Sequence, residues 1–192
     1  ELKDAPLTGP VRARQVLEEL GPTYVKFGQI LSVRQDIVPT EYANEFAKLQ
    51  DDVPPFDFED ASILIRPELG APIEEIFSEF EREPIAAASI GQVHRAKLHD
   101  GTDVVVKVQR PEIKKVIETD IDIMYSIAEF AEEHIHDAKL YRPVEVIDEF
   151  SKSIHAEMDY TQEARNVDRF LANFKDDPHI YIPKVYWDYC SE

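Results

Sequence analysis

The most constraining feature of the sequence is an alanine-rich segment followed by two strand patterns. The segment Ala86-Ala87-Ala88-Ser89-Ile90-Gly91-Gln92 leads into residues 93–98, where apolar positions alternate as in a half-buried strand. Asp100-Gly101 then predicts a two-residue hairpin turn, because both central positions of such a turn favour positive φ. Residues 104–109 alternate again and carry one lysine, Lys107. The pattern predicts a small antiparallel sheet with a lysine on one of its faces.

The alanine-rich segment has the spacing of a phosphate-binding loop without most of its glycines. Protein kinases use G-x-G-x-x-G at such a position, and the same frame here contains Ala86, Ala88 and Gly91. Glycine reaches positive φ and lets backbone amides approach a phosphate closely, which a Cβ atom obstructs. We therefore expect the segment to contact a nucleotide differently from a glycine loop.

Four stretches in this order resemble the UbiB/ADCK family of atypical, protein-kinase-like proteins. They are Lys26-Phe27-Gly28-Gln29 (the family's K-x-G-Q), Ala86 to His94, Val104 to Pro111, and Glu157-Met158-Asp159 with Glu163 and Asn166. The resemblance runs from about Gly21 to the last residue. It implies an α+β fold, in which a kinase-like N-terminal lobe (a small antiparallel sheet with a glutamate-bearing helix) follows a family-specific helical extension.

The sequence divides near residue 80. Helical spacing and repeated prolines predict a mainly helical extension over residues 1–80, and we expect the kinase-like lobe over residues 81–192, with a helical insertion at about 112–140. Strand character is predicted to begin near Ile85 and to return from Ile180 to Tyr189. The catalytic-loop and Asp-Phe-Gly motifs of kinases follow the helix glutamate, and none occurs in this chain. We expect the second lobe, and with it the metal ligands, to lie outside this chain.

The resemblance assigns the nucleotide-site residues. Lys107 would contact phosphate and Glu163 would orient it, as the strand lysine and helix glutamate do in kinases. The remaining nucleotide-binding candidates are Ala86, Ala87, Ala88, Ser89, Ile90, Gly91, Gln92 and Val105. Val105 stands where the family usually has alanine, against the adenine, so its two extra methyl groups would narrow that pocket. The alternative for Lys107 is a solvated lysine on an edge strand.

A second group of residues is implied to cover the site. Lys26 and Gln29 lie three residues apart and share one helix face, while Glu157 and Asp159 match the family's E-x-D motif. On an ideal helix Glu157 and Asp159 point about 200° apart, so either a helix begins or bends there or only one of them reaches the site. By resemblance these four residues are regulatory; by periodicity alone they could equally be exposed polar faces.

Composition excludes several classes of function. A formal net charge of -18 in 192 residues makes nucleic-acid binding unfavourable, because phosphate contacts need clustered Lys and Arg. The single cysteine, Cys190, excludes an internal disulfide. No apolar run is long enough to span a membrane. We expect a cytoplasmic protein, with any peripheral membrane attachment made through parts of the longer parent.

The resemblance also implies an activity. The parent would bind ATP or ADP with Mg²⁺ and act as an atypical kinase or ATPase in isoprenoid-quinone (ubiquinone-type) biosynthesis, with quinone-biosynthesis proteins or lipid as its further partners. The alternative is a pseudokinase scaffold that senses nucleotide or lipid without catalysis. In either case this chain alone is expected to be inactive, because half of the adenine pocket would be missing.

Overall fold

The computed structural model describes residues 7–50 and 53–191, and its first third is helical. The helices are α1 (Gly9–Leu20), α2 (Pro22–Ser32), α3 (Thr40–Phe46), α4 (Phe58–Leu69) and α5 (Ile73–Ile76). Pro10 and Pro22 lie in the first turns of α1 and α2, where the missing proline N–H costs no helical hydrogen bond. Helical spacing of apolar residues behind Pro10, Pro22 and Pro39 predicts a helix at each place, and α1, α2 and α3 confirm it.

The sequence predicts a helix that Asp57 caps and a break of the chain at Pro67, and α4 departs from this prediction in the capping hydrogen bond and in the break. Asp57 occupies the N-cap position as expected, but its side chain makes no capping hydrogen bond. Pro67 was expected to break the chain and instead lies inside the last turn of α4. The helix ends at Gly70, which adopts the left-handed conformation (φ 75°) that commonly terminates helices.

A four-stranded antiparallel sheet follows, and β3 is its central strand. The strands are β1 (Phe77–Phe80), β2 (Ala86–Ala87), β3 (Gly91–Leu98) and β4 (Asp103–Gln109). Because β3 pairs with β4 along its whole length, β1 and β2 must share the opposite edge of β3. The sheet thus begins at Phe77 and not near Ile85, so its first strand falls within the stretch predicted to be helical.

The β3–β4 hairpin is confirmed, but its turn type was wrong. Only Gly101 has positive φ (86°), whereas the predicted turn requires it at Asp100 as well. The Gly101 amide donates to the Leu98 carbonyl and the Leu98 amide donates to the Thr102 carbonyl, which closes a three-residue loop. The Asp100 carboxylate accepts the Thr102 amide at 2.9 Å. An additional loop residue lets aspartate avoid the left-handed region.

Three further helices complete the fold: α6 (Ile113–His134), α7 (Pro143–Met158) and α8 (Tyr160–Phe174), with a 3₁₀ turn at His136–Leu140 between the first two. The buried stripe of α6 is the predicted one: Ile113, Ile117, Ile121, Met124 and Ala128. It packs on Phe150 and Ile154 of α7 and on Tyr24 of α2. This core cluster connects the helical extension to the elements behind the sheet.

The predicted strand from Ile180 to Tyr189 does not form. The segment is irregular apart from a 3₁₀ turn at Trp187–Tyr189. Pro183 lacks the N–H that a ladder position requires. Side chains attach the segment instead: Trp187 Nε1 donates to Asp168 of α8 at 2.7 Å, and Tyr186 packs on the apolar face of the sheet.

Candidate functional site

The lysine of β4 and the glutamate of α8 are in contact. Lys107 Nζ lies 2.6 Å from Glu163 Oε2, and the two side chains are 38% and 54% exposed. Lys107 projects from the face of β4 opposite Val106 and Val108, because neighbouring strand residues alternate. The structure therefore brings the two predicted catalytic residues together on the more open face of the sheet.

The Lys107–Glu163 pair lines an open cleft. This pocket has a volume of about 1050 Å³ and is lined by residues of β1, β3, β4, α8 and the irregular C-terminal segment. Val105, 62% exposed, shares its lining with Lys107 and Glu163. An apolar side chain next to a cation suits a ligand with a flat apolar part and an anionic part.

A helix break separates the two halves of the E-x-D motif. Helix α7 ends at Met158 and α8 begins at Tyr160, with Asp159 as its N-cap. The Asp159 carboxylate accepts the Thr161 hydroxyl at 2.6 Å and the Gln162 amide at 3.1 Å, and these hydrogen bonds, that of Thr161 first, lower the pKa of Asp159. A helix therefore begins at this point. Asp159 uses one carboxylate oxygen to start α8.

Lys26 contacts Glu157, the first carboxylate of the motif. Lys26 Nζ donates to Glu157 Oε1 at 2.8 Å, and its side chain is only 15% exposed. Gln29 points elsewhere, because its amide donates to the Leu49 carbonyl at 3.3 Å. Gly28 allows α2 to lie close to Leu49, since a Cβ atom at residue 28 would lie 2.3 Å from Leu49 Cδ1. Of the four residues predicted to be regulatory, Lys26 and Glu157 are joined, whereas Gln29 and Asp159 serve local structure.

The alanine-rich segment packs against the sheet and the core and does not form an open loop. Ala86 and Ala87 form β2, while Ser89 and Ile90 are buried, Ile90 within the core cluster around α6. The Ala88 amide donates to the Gly91 carbonyl at 2.8 Å. An amide engaged in this way cannot donate to a phosphate without rearrangement. Any phosphate contact of the segment in this conformation would have to come from its other backbone groups.

Gln92 is not brought to the Lys107 face. It is 1% exposed, and its amide group donates to the Phe56 carbonyl at 3.1 Å and accepts the Phe56 amide at 3.0 Å. Its cross-strand partner is Val108, so its side chain shares the buried face with His94, which is fully buried. The side chain of Gln92 attaches the segment before α4 to the sheet.

Two further residues contact the predicted site residues, and sequence patterns gave no signal for either. Arg110 donates to the carbonyls of Ala88 at 3.3 Å and Pro54 at 2.9 Å, joining the alanine-rich segment to the helical extension. Desolvation lowers the pKa of its guanidinium. Tyr160, interpreted from sequence as a packing aromatic, places its ring 4.5 Å from Lys107 Nζ.

No group of three or more His, Cys, Asp or Glu side chains within residues 7–50 and 53–191 is arranged to hold a metal ion. In the same residues, no helix combines the length and the apolar character needed to cross a bilayer.

A small antiparallel sheet whose lysine meets a helix glutamate defines an α+β, kinase-like N-terminal lobe. A solved structure supports this: the Mycobacterium tuberculosis protein Rv3197, determined in complex with erythromycin, superposes with a TM-score of 0.61 at 32% identity, over 88% of this chain and 43% of that one. The sequence model of the ABC1 atypical kinase-like domain matches residues 48–192.

Curated relatives agree with this class. Proteins named probable protein kinase UbiB from Pseudomonas paraeruginosa and Pseudomonas aeruginosa are 48% identical over 184 residues, which is 96% of this chain. The homologue from Pseudomonas fluorescens is 45% identical over 188 residues. The chain therefore belongs to the UbiB/ADCK family of ABC1 atypical kinase-like proteins. It spans about a third of the length of these relatives.

Proposed function

We propose that this lobe provides the lysine side of an ATP- or ADP-binding site in a longer atypical kinase or ATPase. The observation that carries the proposal is the 2.6 Å contact between Lys107 and Glu163, at the edge of an open pocket beside Val105. Lys107 would neutralise charge on the nucleotide phosphates. Glu163 would hold the ammonium group in place, and Val105 would pack on the adenine.

The remaining nucleotide contacts are proposed to come from the second lobe. Residues of that lobe would hold Mg²⁺, which would neutralise charge on the nucleotide phosphates. On this lobe, we assign the phosphate side to backbone groups of residues 86–91 and not to the Gln92 side chain, whose polar atoms are engaged with Phe56 and His94. The contact of Lys26 with Glu157 would restrict access to the pocket.

The biological role follows from the relatives' name alone. We propose that the complete protein supports isoprenoid-quinone biosynthesis at a membrane, with quinone-biosynthesis proteins or lipid as partners. Loss of ubiquinone in cells that carry only Lys107→Ala, with normal levels in cells that carry Lys115→Ala, would support this role. Equal ubiquinone levels in the two strains would contradict it.

Nucleotide binding is tested with the complete gene product. Its melting temperature should rise with Mg-ADP or Mg-ATP, by the equivalent of about 2.7 kcal/mol when the ligand is at 100 times its dissociation constant. Lys107→Ala should abolish the rise, while Lys115→Ala, an exposed lysine of α6, should preserve it. An unchanged rise in Lys107→Ala would place the nucleotide elsewhere.

Catalysis is tested separately by phosphate release. The proposed enzyme loses turnover in Lys107→Ala and most of it in Glu163→Gln. A protein that binds nucleotide through Lys107 without any turnover would instead be a nucleotide-sensing pseudokinase scaffold, which the engaged Ala88 amide favours.

A further inference from the structure

Tyr160 joins the lysine of β4 to the end of the alanine-rich segment. Its ring centre lies 4.5 Å from Lys107 Nζ, which is the range of an attractive contact between an ammonium group and an aromatic face. Its hydroxyl oxygen is buried and has no hydrogen-bond partner in the described part of the chain. Burial raises the pKa of this phenol, so it stays neutral beside Glu163 and Glu157.

The same hydroxyl explains why one glycine remains in the segment. A Cβ atom on Gly91 would lie 2.4 Å from the Tyr160 hydroxyl and 2.6 Å from the Val108 carbonyl oxygen, both closer than real Cβ contacts. Gly91 does not have positive φ, so backbone conformation does not demand glycine here. Glycine is required because Tyr160 and β4 both approach this position closely.

Tyr160 is itself held in a fixed place. It is the first residue of α8, directly after the capping residue Asp159, and its ring packs against the core cluster around α6. On β4, Gln109 donates to the carbonyl of Met158 at the end of α7. The start of α8 is thus attached to the strand that carries Lys107, two residues from that lysine.

We propose that Tyr160 is a positioning residue for Lys107: its ring, whose hydroxyl packs against Gly91, holds the ammonium group beside Glu163. In the simplest alternative Tyr160 only fills space between α8 and the sheet. The proposed role in nucleotide affinity rests on the nucleotide site proposed above, but the position of the Lys107 side chain does not.

The primary readout is the NMR signal of the Lys107 ε-methylene protons in the complete gene product labelled with ¹³C-lysine, assigned by its loss in Lys107→Arg. A ring 4.5 Å away shifts this signal from the ordinary lysine position. Tyr160→Phe keeps the ring and should keep the shifted signal. Tyr160→Leu and Tyr160→Met lack the ring, and in both the signal should return to the ordinary position; if one of them does not fold, the other still decides.

The second readout is nucleotide affinity. The dissociation constant of Mg-ADP should rise roughly fivefold in Tyr160→Leu or Tyr160→Met, the size of a partly exposed cation–π contact, and change little in Tyr160→Phe. Tyr125→Leu is the matched control, because Tyr125 also packs partly buried against the core cluster around α6, but its hydroxyl donates to Asp148 of α7 and it does not line the pocket of Lys107. It should lower the melting temperature without moving the Lys107 signal or the affinity.

The outcomes distinguish the positioning role of Tyr160 from the proposed nucleotide site. An unmoved Lys107 signal in both ringless variants, or an equal loss of affinity in Tyr160→Phe and Tyr160→Leu, would overturn the positioning role. A moved signal in a protein that binds no nucleotide would support positioning by Tyr160 and refute the proposed nucleotide site.

Discussion

Gln109 on β4 donates its amide hydrogen to the carbonyl of Met158, the last residue of α7. Gln109 lies on the same face of β4 as Lys107, and Met158 directly precedes the cap of α8. This bond therefore fixes the helix break relative to the strand. It places Glu157, before the break, near Lys26 and places Glu163, after the break, near Lys107.

Removing this bond should loosen the site and destabilise the fold. Gln109→Leu leaves the partly buried Met158 carbonyl without its partner, and such a group costs about 1–3 kcal/mol. Urea unfolding should show a decrease of that size. Gln35→Leu, at an exposed glutamine after α2, is the control and should change the free energy of unfolding by less than about 0.5 kcal/mol. Similar values for the two variants would mean that the bond contributes nothing.

Gly91→Ala and Gly70→Ala should both lower the free energy of unfolding, but for different physical reasons. Gly91→Ala forces a Cβ atom against a backbone carbonyl and the Tyr160 hydroxyl, an overpacking that costs about 1–3 kcal/mol. Gly70→Ala meets no atom within 4 Å, so its cost of about 1 kcal/mol is backbone strain at φ 75° alone.

The two glycine variants should also differ in their effect on the surroundings of Lys107. Chemical shifts of Lys107 and Tyr160 should move in Gly91→Ala and stay unchanged in Gly70→Ala, although both variants melt earlier. Unmoved shifts in Gly91→Ala would show that α8 does not contact the strand as closely as described.

Local periodicity was sufficient to predict the elements that have one buried face. The alternation around Lys107 gave β4 and its two faces, and the four-residue repeat from Ile113 to Ala128 gave α6. Such patterns are local, because one face of each element is buried whatever covers it. The contact of Lys107 with Glu163 joins residues 56 positions apart, and it was expected only through the family resemblance.

The missed features depend on contacts that no local pattern encodes. Ile180 to Tyr189 is rich in the β-branched and aromatic residues typical of strands, but its side chains attach to α8 and the sheet without forming a ladder. Gln92 follows a loop-like segment, yet its partner is the backbone of Phe56, 36 residues earlier. Tyr160 was interpreted as packing because an aromatic residue beside a lysine is visible only when β4 and α8 are together.

The contact of Gln92 with Phe56 can be tested by hydrogen exchange. Gln92→Leu removes the acceptor of the Phe56 amide and the donor to its carbonyl, so that amide should lose protection and unfolding should become easier by about 2 kcal/mol. Gln92→Glu keeps an acceptor for the amide and should retain part of the protection. Full protection in Gln92→Leu would show that Arg110, through Pro54, suffices to hold the segment.

The pairing of His155 on α7 with Glu118 on α6 should make stability depend on pH. His155 Nε2 lies 2.8 Å from Glu118 Oε1, and its Nδ1 lies 2.6 Å from the Ser151 carbonyl oxygen. These two contacts, that of Glu118 first, raise the pKa of His155 above its ordinary 6.5, although burial and Lys114 oppose them. A raised pKa stabilises the folded protein fully below pH 6.5, and that stabilisation is lost as the pH rises through the folded-state value.

The His155–Glu118 pair should contribute less than about 1 kcal/mol to the free energy of unfolding, because the two side chains are 40% and 48% exposed and solvent screens the pair. Glu118→Gln removes the charge and should lower the free energy of unfolding below pH 6.5, with little difference from the wild type at about pH 8.5, where imidazole is neutral. Glu129→Gln, an exposed carboxylate on the same helix, is the control and should leave the pH profile unchanged. Urea unfolding at both pH values decides the matter: a loss in Glu118→Gln that is equally large at both would assign Glu118 a role other than pairing with the imidazolium.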